Sequence, residues 1–453
     1  MNKRVVIIGG GAGGMTAATQ IKRQDPEIQV TVIDKGSYVS WAGCPTPYYI
    51  AGKIDEASVV HNDPAYFKKE RDIDVLIDHA VERIDFDNKK LIVHGDTVDG
   101  DYSYDTLILS TGAKAVVPEI KGLRATDGSF HQGIFVLRHV EDAFTIKKYI
   151  DTCGCKNGVI IGAGFIGLEM AESLNHLGMK IDIVEMADSI LPMLGTGEQR
   201  KRIIDTLKKH DVGLHLSTTI TEIISTNGTV TEAVLSDGTL LHTDFLLISI
   251  GVRPDLSLLE RSGYTPPDGM LIINERMETG IPDVYALGDM VWTKHLLTGK
   301  PFYAPFGDVA DKQGLILGGI IAGDSLEFPG VIGSAATAVF DWQIAVTGLT
   351  LRQARDNGFD ADETNIKSLH RIIGFEGTIP GLVNVVYERA TYRVLGASIV
   401  AQSAAAQFID QFAIAITYGL TIEQLFKVDY AYSPSTSVVW NPILAAYRKV
   451  FNR

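Results

Sequence analysis

The chain has 453 residues, 45% of them hydrophobic and 21% charged, with a formal net charge of −14. This composition excludes disorder as the main state, and an acidic balance without any Lys/Arg run excludes a basic nucleic-acid surface. Three cysteines are too few for a disulfide scaffold, which points to a cytoplasmic protein, and no apolar run approaches the ~20 residues that cross a membrane.

In chain order, the first predicted strand is Arg4 to Ile8, directly after a start that leaves no space for a signal peptide. It ends in Gly9-Gly10-Gly11-Ala12-Gly13-Gly14, followed by a helix over Met15 to Arg23 and a second strand, Gln29 to Ile33, that ends at Asp34. Strand, glycine turn, helix, strand and acid make a βαβ unit. A buried strand at Leu107 to Leu109 enters Ser110-Thr111-Gly112-Ala113. The βαβ pattern then recurs: Gly158 to Ile161, the turn Gly162-Ala163-Gly164-Phe165-Ile166-Gly167, a helix through Leu177, and Lys180 to Val184 ending at Glu185. First glycine to acid is 25 residues in one copy and 23 in the other. Leu246 to Ile250 leads into Gly251-Val252-Arg253-Pro254, and Asp283 to Asp289 is a short strand ending in Gly-Asp. From about Gly330 the pattern changes to strands at Gly381 to Tyr387 and Val394 to Val400, then an apolar helix over Ala404 to Gly419.

Gly9, Gly11 and Gly14 are spaced for a dinucleotide. One glycine allows the tight turn, one lets a pyrophosphate approach the backbone, and one lets helix and strand pack closely. The helix N-terminus supplies free N–H groups, and Asp34 is placed for a ribose. Gly162, Gly164, Gly167 and Glu185 repeat the pattern. Two dinucleotide sites in one chain imply electron transfer between a tightly held flavin and a diffusible nicotinamide. Glu185 favours a ribose 2′-hydroxyl over a 2′-phosphate, and Met186-Ala187-Asp188 brings no arginine, so NADH is expected over NADPH.

On five of these pieces the chain resembles the flavin-dependent pyridine nucleotide–disulfide oxidoreductases along almost its whole length. They are Gly9 to Gly14, Ser110 to Ala113, Gly162 to Glu169, Gly251 to Pro254 and Ala286-Leu287-Gly288-Asp289. The resemblance implies an α/β fold with two Rossmann-like domains and a C-terminal α+β dimerisation domain. An FAD-binding domain would span 1–113 and 246–328, an NAD(P)H-binding domain 114–245, and the interface domain of a homodimer 329–453. Asp34 would bind the adenosine ribose of FAD and Asp289 its ribityl or phosphate portion, with Lys35, Thr111, Gly112 and Gly288 completing that set. Phe165 would gate the nicotinamide pocket and Glu169 would form its floor, beside Ile166 and Gly251.

Cys44 lies ten residues after Asp34 and is followed by Pro45. Proline favours the first helical position, so Cys44 is expected to cap a helix whose dipole lowers the thiol pKa. Positions 45 to 49 hold no second cysteine, which resembles the single-cysteine branch: coenzyme A disulfide reductases, persulfide or polysulfide reductases, NADH oxidases and peroxidases. The oxidases and peroxidases carry a histidine in the first glycine turn, where this chain has Gly10, Gly11 and Ala12. The resemblance therefore favours the coenzyme A disulfide and persulfide reductases. Gln20, Arg23, Ser40, Lys68 and Lys69 are then candidate contacts to coenzyme A. Two departures stand out: Cys44-Pro45-Thr46-Pro47-Tyr48 replaces the usual Cys-Gly-Leu-Pro-Tyr, and Thr378-Ile379 stands where that branch has a tyrosine pair. Tyr432, in Asp429-Tyr430-Ala431-Tyr432-Ser433-Pro434, is the candidate proton donor, reaching Cys44 of the other subunit. Cys153-Gly154-Cys155 offers a second redox pair or half a metal site, but neither a second cysteine pair nor a nearby histidine pair finishes a zinc site; it reads as the turn before the second strand, and no metal is expected. Three other functions remain: an NADH oxidase reducing oxygen, a flavoprotein reductase of a partner protein, and an NADH-binding redox sensor.

Overall fold

The computed structural model describes residues 3–372 and 377–452. Two five-stranded parallel sheets dominate the first two thirds. The first runs Val284–Ala286, Thr106–Leu109, Arg4–Ile8, Gln29–Ile33, Asp74–Leu76, and the second Gly213–His215, Lys180–Val184, Asn157–Ile161, Phe245–Ile248, Ile134–Val136. Their central strands are near-continuous Val/Ile/Leu runs because both faces are covered, as parallel sheets require. Ile7, Leu107, Ile160 and Leu247 have no accessible surface. Arg4 pairs with Gln29 through to Ile8 with Ile33, and Asn157 with Lys180 through to Ile161 with Val184. The two glycine turns therefore leave equivalent strand ends. A two-stranded antiparallel ribbon, Ala113–Ala115 with Val252–Pro254, lies where the chain passes between the two sheets.

Five helices position the site. α1 is Ala12–Gln24, α2 Thr46–Ile50, α3 Pro64–Arg71, α4 Val140–Cys153 and α5 Phe165–His176. α1 extends three residues upstream of its predicted start, into the glycine turn itself.

The C-terminal region is an antiparallel sheet in the order Ala335–Val339, Trp342–Gly348, Val394–Ala401, Gly381–Glu388, Ala361–Ser368. Its strand Val394–Ala401 is buried throughout. The helix Ala405–Thr417 shares a core with residues of that strand, while Trp342, Ile344 and Val400 share the core of the second parallel sheet. Buried Gln199 fastens this contact: its Nε2 donates to the carbonyls of Leu382 (3.2 Å) and Ser398 (2.9 Å), and its Oε1 accepts from Ser398 Oγ at 2.8 Å. Among the described residues, no helix is long and apolar enough to cross a membrane.

Candidate functional site

In the first turn, Gly9 has φ +108°, and a Cβ there would lie 2.1 Å from the Ser110 carbonyl oxygen. A Cβ on Gly14 would lie 2.0 Å from the Gly9 carbonyl oxygen, whereas one on Gly11 would meet nothing within 4 Å. Two glycines thus close the turn and the third leaves an open approach to the backbone. The second turn repeats this: Gly162 has φ +105° with Ser249 O at 2.4 Å, Gly167 meets Gly162 O at 2.1 Å, and Gly164 faces open space. The two acids also match. Asp34 accepts from the N–H groups of Gly10 (2.6 Å) and Gly36 (2.7 Å), and Glu185 from those of Ala163 and Ala187, both at 2.8 Å. Burial raises the Asp34 pKa against the pull of its two backbone donors.

One continuous cavity of about 1460 Å³ joins both turns. Gly9, Gly11, Asp34, Lys35, Thr111, Gly112, Gly288 and Asp289 line it on one side, and Gly162, Gly164, Phe165, Ile166, Glu185 and Gly251 on the other. Cys44 lines the same cavity. Gly14 and Gly167 serve packing behind it, and Glu169 stands outside the lining. The two open glycine approaches and their paired acids fit two dinucleotides. Among the described residues, no cluster of His, Cys, Asp and Glu could hold a metal ion.

Cys44 departs from expectation. α2 starts at Thr46 with Pro45 as its cap residue, so Cys44 stands one residue ahead of the cap, before a helix of only five residues. The thiol pKa is raised, opposite to the lowering expected from the sequence. Partial burial pushes the thiol pKa up, and the carboxylates of Glu169, Asp308 and Asp289 push the same way.

Arg138 was not legible in the sequence. Its Nη2 donates to Asp289 at 2.7 Å and its Nε to the Ala113 carbonyl at 2.9 Å. Burial raises the Asp289 pKa, and Arg138 opposes that shift. The nearest sequence signal is the helix start that follows, where Asp142 accepts from the N–H groups of Arg138 and His139. Thr337 is a second such residue. It reaches α5 from the C-terminal sheet and donates to Glu169, whose pKa is raised to about 6 by burial, with Glu172 adding to the shift and Thr337 opposing it.

The candidate coenzyme A contacts are not brought into the cavity. Gln20 packs against Gly318, and Arg23 is exposed at the end of α1. Ser40, at φ +54°, donates its N–H to the Gly10 carbonyl at 3.0 Å. On α3, Lys68 pairs with Asp72 (3.2 Å) and Asp74 (2.9 Å), and Lys69 with Glu70 (3.0 Å). Tyr432 is 51% exposed and away from the Cys44 of its own chain's cavity. Cys153 and Cys155, read from the sequence as a plain turn, are joined by a disulfide at the end of α4.

The sequence profile of pyridine nucleotide-disulphide oxidoreductases matches residues 3–312, and that of their dimerisation domain matches residues 334–442. An NAD(P)H coenzyme A polysulfide/persulfide reductase of Pyrococcus horikoshii is 33% identical over 449 residues, covering 99% of this chain and 98% of its own. A protein named NADH oxidase from Methanocaldococcus jannaschii is 33% identical over 445 residues, covering 98% and 97%. The solved structure of an NAD-dependent persulfide reductase from A. fulgidus matches with a TM-score of 0.93 at 34% identity, over 99% of this chain and 83% of that one. With both profiles matched in order and both dinucleotide turns built, the chain belongs to the pyridine nucleotide-disulphide oxidoreductase family and is a flavoprotein oxidoreductase of FAD and NAD(P)H.

Proposed function

We propose that the protein is an NADH-dependent reductase of a small disulfide, persulfide or polysulfide of the coenzyme A type, acting through Cys44 alone. The observation that carries this reading is the single cavity holding both glycine turns and the Cys44 thiol. Gly9, Gly11, Asp34, Lys35, Thr111, Gly112, Gly288 and Asp289 hold FAD, with Gly14 closing the turn behind it. Gly162, Gly164, Phe165, Ile166, Gly167, Glu185 and Gly251 hold NADH, with Glu169 behind α5. Bound FAD supplies a two-electron relay between a nicotinamide and a sulfur couple. Arg138 holds Asp289 in place against its own desolvation. Glu185 repels a 2′-phosphate and so selects NADH.

The Cys44 thiolate attacks the sulfur–sulfur bond of the substrate, forming a mixed disulfide or persulfide and releasing a thiolate. Tyr432 of a second copy, or water, protonates that leaving group. The raised Cys44 pKa makes the supply of thiolate pH-dependent. Gln20, Arg23 and Ser40 are the candidate contacts to the coenzyme A moiety, with Lys68 and Lys69 available because exposed ion pairs exchange readily. On this reading residues 1–113 and 246–328 form the FAD unit, 114–245 the NADH unit and 329–453 the homodimer interface, in a cytoplasmic enzyme.

The test is turnover of coenzyme A disulfide and polysulfide by Cys44→Ser with its flavin content matched to wild type. Loss of at least about 10³-fold is expected, since the variant lacks its nucleophile. Full retention would sink the reading. Oxygen uptake equal to NADH loss without any added disulfide would favour an oxidase instead.

A further inference from the structure

We propose that Cys153 and Cys155 form a second, reversible thiol–disulfide couple at the protein surface, separate from Cys44, that exchanges with low-molecular-weight thiols and disulfides. The pair joins the last residue of α4 to the segment entering the strand Asn157–Ile161. Gly154 between them has φ +66°, which folds the two side chains to the same side. Their Cα atoms are 5.2 Å apart, inside the range a disulfide spans without backbone movement.

The backbone on both sides of the turn is held from outside it. α4 fixes Cys153. Just after Cys155, the N–H groups of Lys156 and Asn157 donate to Asp244 Oδ2 at 2.9 and 3.0 Å. The Cys155 N–H lies 3.0 Å from Cys153 Sγ and would stabilise a thiolate there once the bond opens. Cys153 is exposed and Cys155 half-buried, which marks Cys153 as the sulfur that meets solutes first.

A purely structural staple fits poorly here. A ring closed around one intervening residue removes little chain entropy, because that gain grows with loop length. Exposed disulfides are the labile ones. The site also lies outside the lining of the cavity that holds Cys44. α4 has 14 residues, so its rise is about 21 Å, and its opposite end carries the Arg138 that holds Asp289.

Oxidation runs in two displacements. The Cys153 thiolate attacks one sulfur of a small disulfide RSSR, forming Cys153–S–S–R and releasing RS⁻. Cys155, after losing its proton to solvent, attacks the Cys153 sulfur and expels the second RS⁻. Two electrons pass from the pair to RSSR, which leaves as two thiols. Two small thiols reverse the sequence.

The experiment uses the full-length, flavin-loaded Cys44→Ser protein, so that its result does not depend on how Cys44 works. The protein is equilibrated in buffers of reduced and oxidised glutathione, quenched with N-ethylmaleimide, and digested with trypsin. Both cysteines fall in one peptide, Tyr149 to Lys156, read by mass spectrometry. The internally oxidised, unlabelled form is expected to rise with oxidised glutathione and to return to the doubly labelled form with reduced glutathione. Cys155→Ser is expected to trap a glutathione adduct on Cys153. Double labelling at every ratio, an unlabelled peptide that reduced glutathione never opens, or no adduct in Cys155→Ser would each overturn the proposal.

Discussion

The two glycine turns are nearly the same piece of backbone under different cover. Gly9 and Gly162 differ by 3° in φ, at +108° and +105°, and each turn is closed by a glycine against a carbonyl and each acid is held by two backbone N–H groups. Over the first, Val39 packs on Gly10, where a Cβ would lie 2.3 Å from the valine Cγ1, and Ser40 donates its N–H to the Gly10 carbonyl. The second carries Ile166 at 38% exposure and, beside its acid, Met186 at 76%. Shared geometry explains why both turns take a dinucleotide. Cover is what would separate a resident cofactor from one that comes and goes, because a walled site slows release. Seven residues after the first glycine the copies also trade roles: the Thr16 hydroxyl donates to the Asp311 carboxylate at 2.8 Å, whereas the Glu169 carboxylate accepts from the Thr337 hydroxyl.

The most damaging way to break the parallel is Gly14→Ala, which drives a methyl against the Gly9 carbonyl. We expect a loss of about 3 kcal/mol, the upper end for overpacking, with a lower melting temperature and poor flavin retention. Gly167→Ala should destabilise similarly while sparing the first turn. An undiminished melting temperature in both would show that the close approach is not needed.

Glu169→Gln probes the traded role. Burial raises this carboxyl to about 6 in the folded protein, above its unfolded value of ~4.3. The protonated form is therefore favoured by folding, and the associated stability is present below the unfolded pKa and lost as pH rises through about 6. Glutamine does not ionise, so its advantage over wild type should grow to roughly 2 kcal/mol by pH 8 and vanish near pH 4. Denaturant melts across that range give the answer, and a pH-independent difference would contradict it.

Gly11→Ala and Gly164→Ala place a methyl where the protein has space, so both should fold. The first should weaken flavin binding and the second raise KM for NADH, each by about tenfold, or 1.4 kcal/mol. Crossed effects would undo the assignment of the two turns. The smallest change is Glu185→Gln, which should narrow the preference for NADH over NADPH by about fivefold in kcat/KM.

Much of the architecture was legible because parallel strands buried on both faces leave uninterrupted Val/Ile runs. Arg4–Ile8, Gln29–Ile33 and Lys180–Val184 have the bounds their runs predict. The environment of Cys44 was not. Its thiol pKa is raised by burial and by Glu169, Asp308 and Asp289, all far along the chain. Arg138 escaped for the same reason, since its partner Asp289 lies 151 residues away. A hydrophobic period reports which face is buried, but it says nothing of which charges meet.

The ribbon of Ala113–Ala115 and Val252–Pro254 has a mechanical meaning. The two crossings between the sheets are hydrogen-bonded to each other, so neither can shift without carrying the other with it. Gln199 and Thr337 latch the far side of the second sheet to the C-terminal sheet. With the crossings paired at one place and these contacts made at another, any shift of the second sheet against its neighbours has to break hydrogen bonds at more than one point.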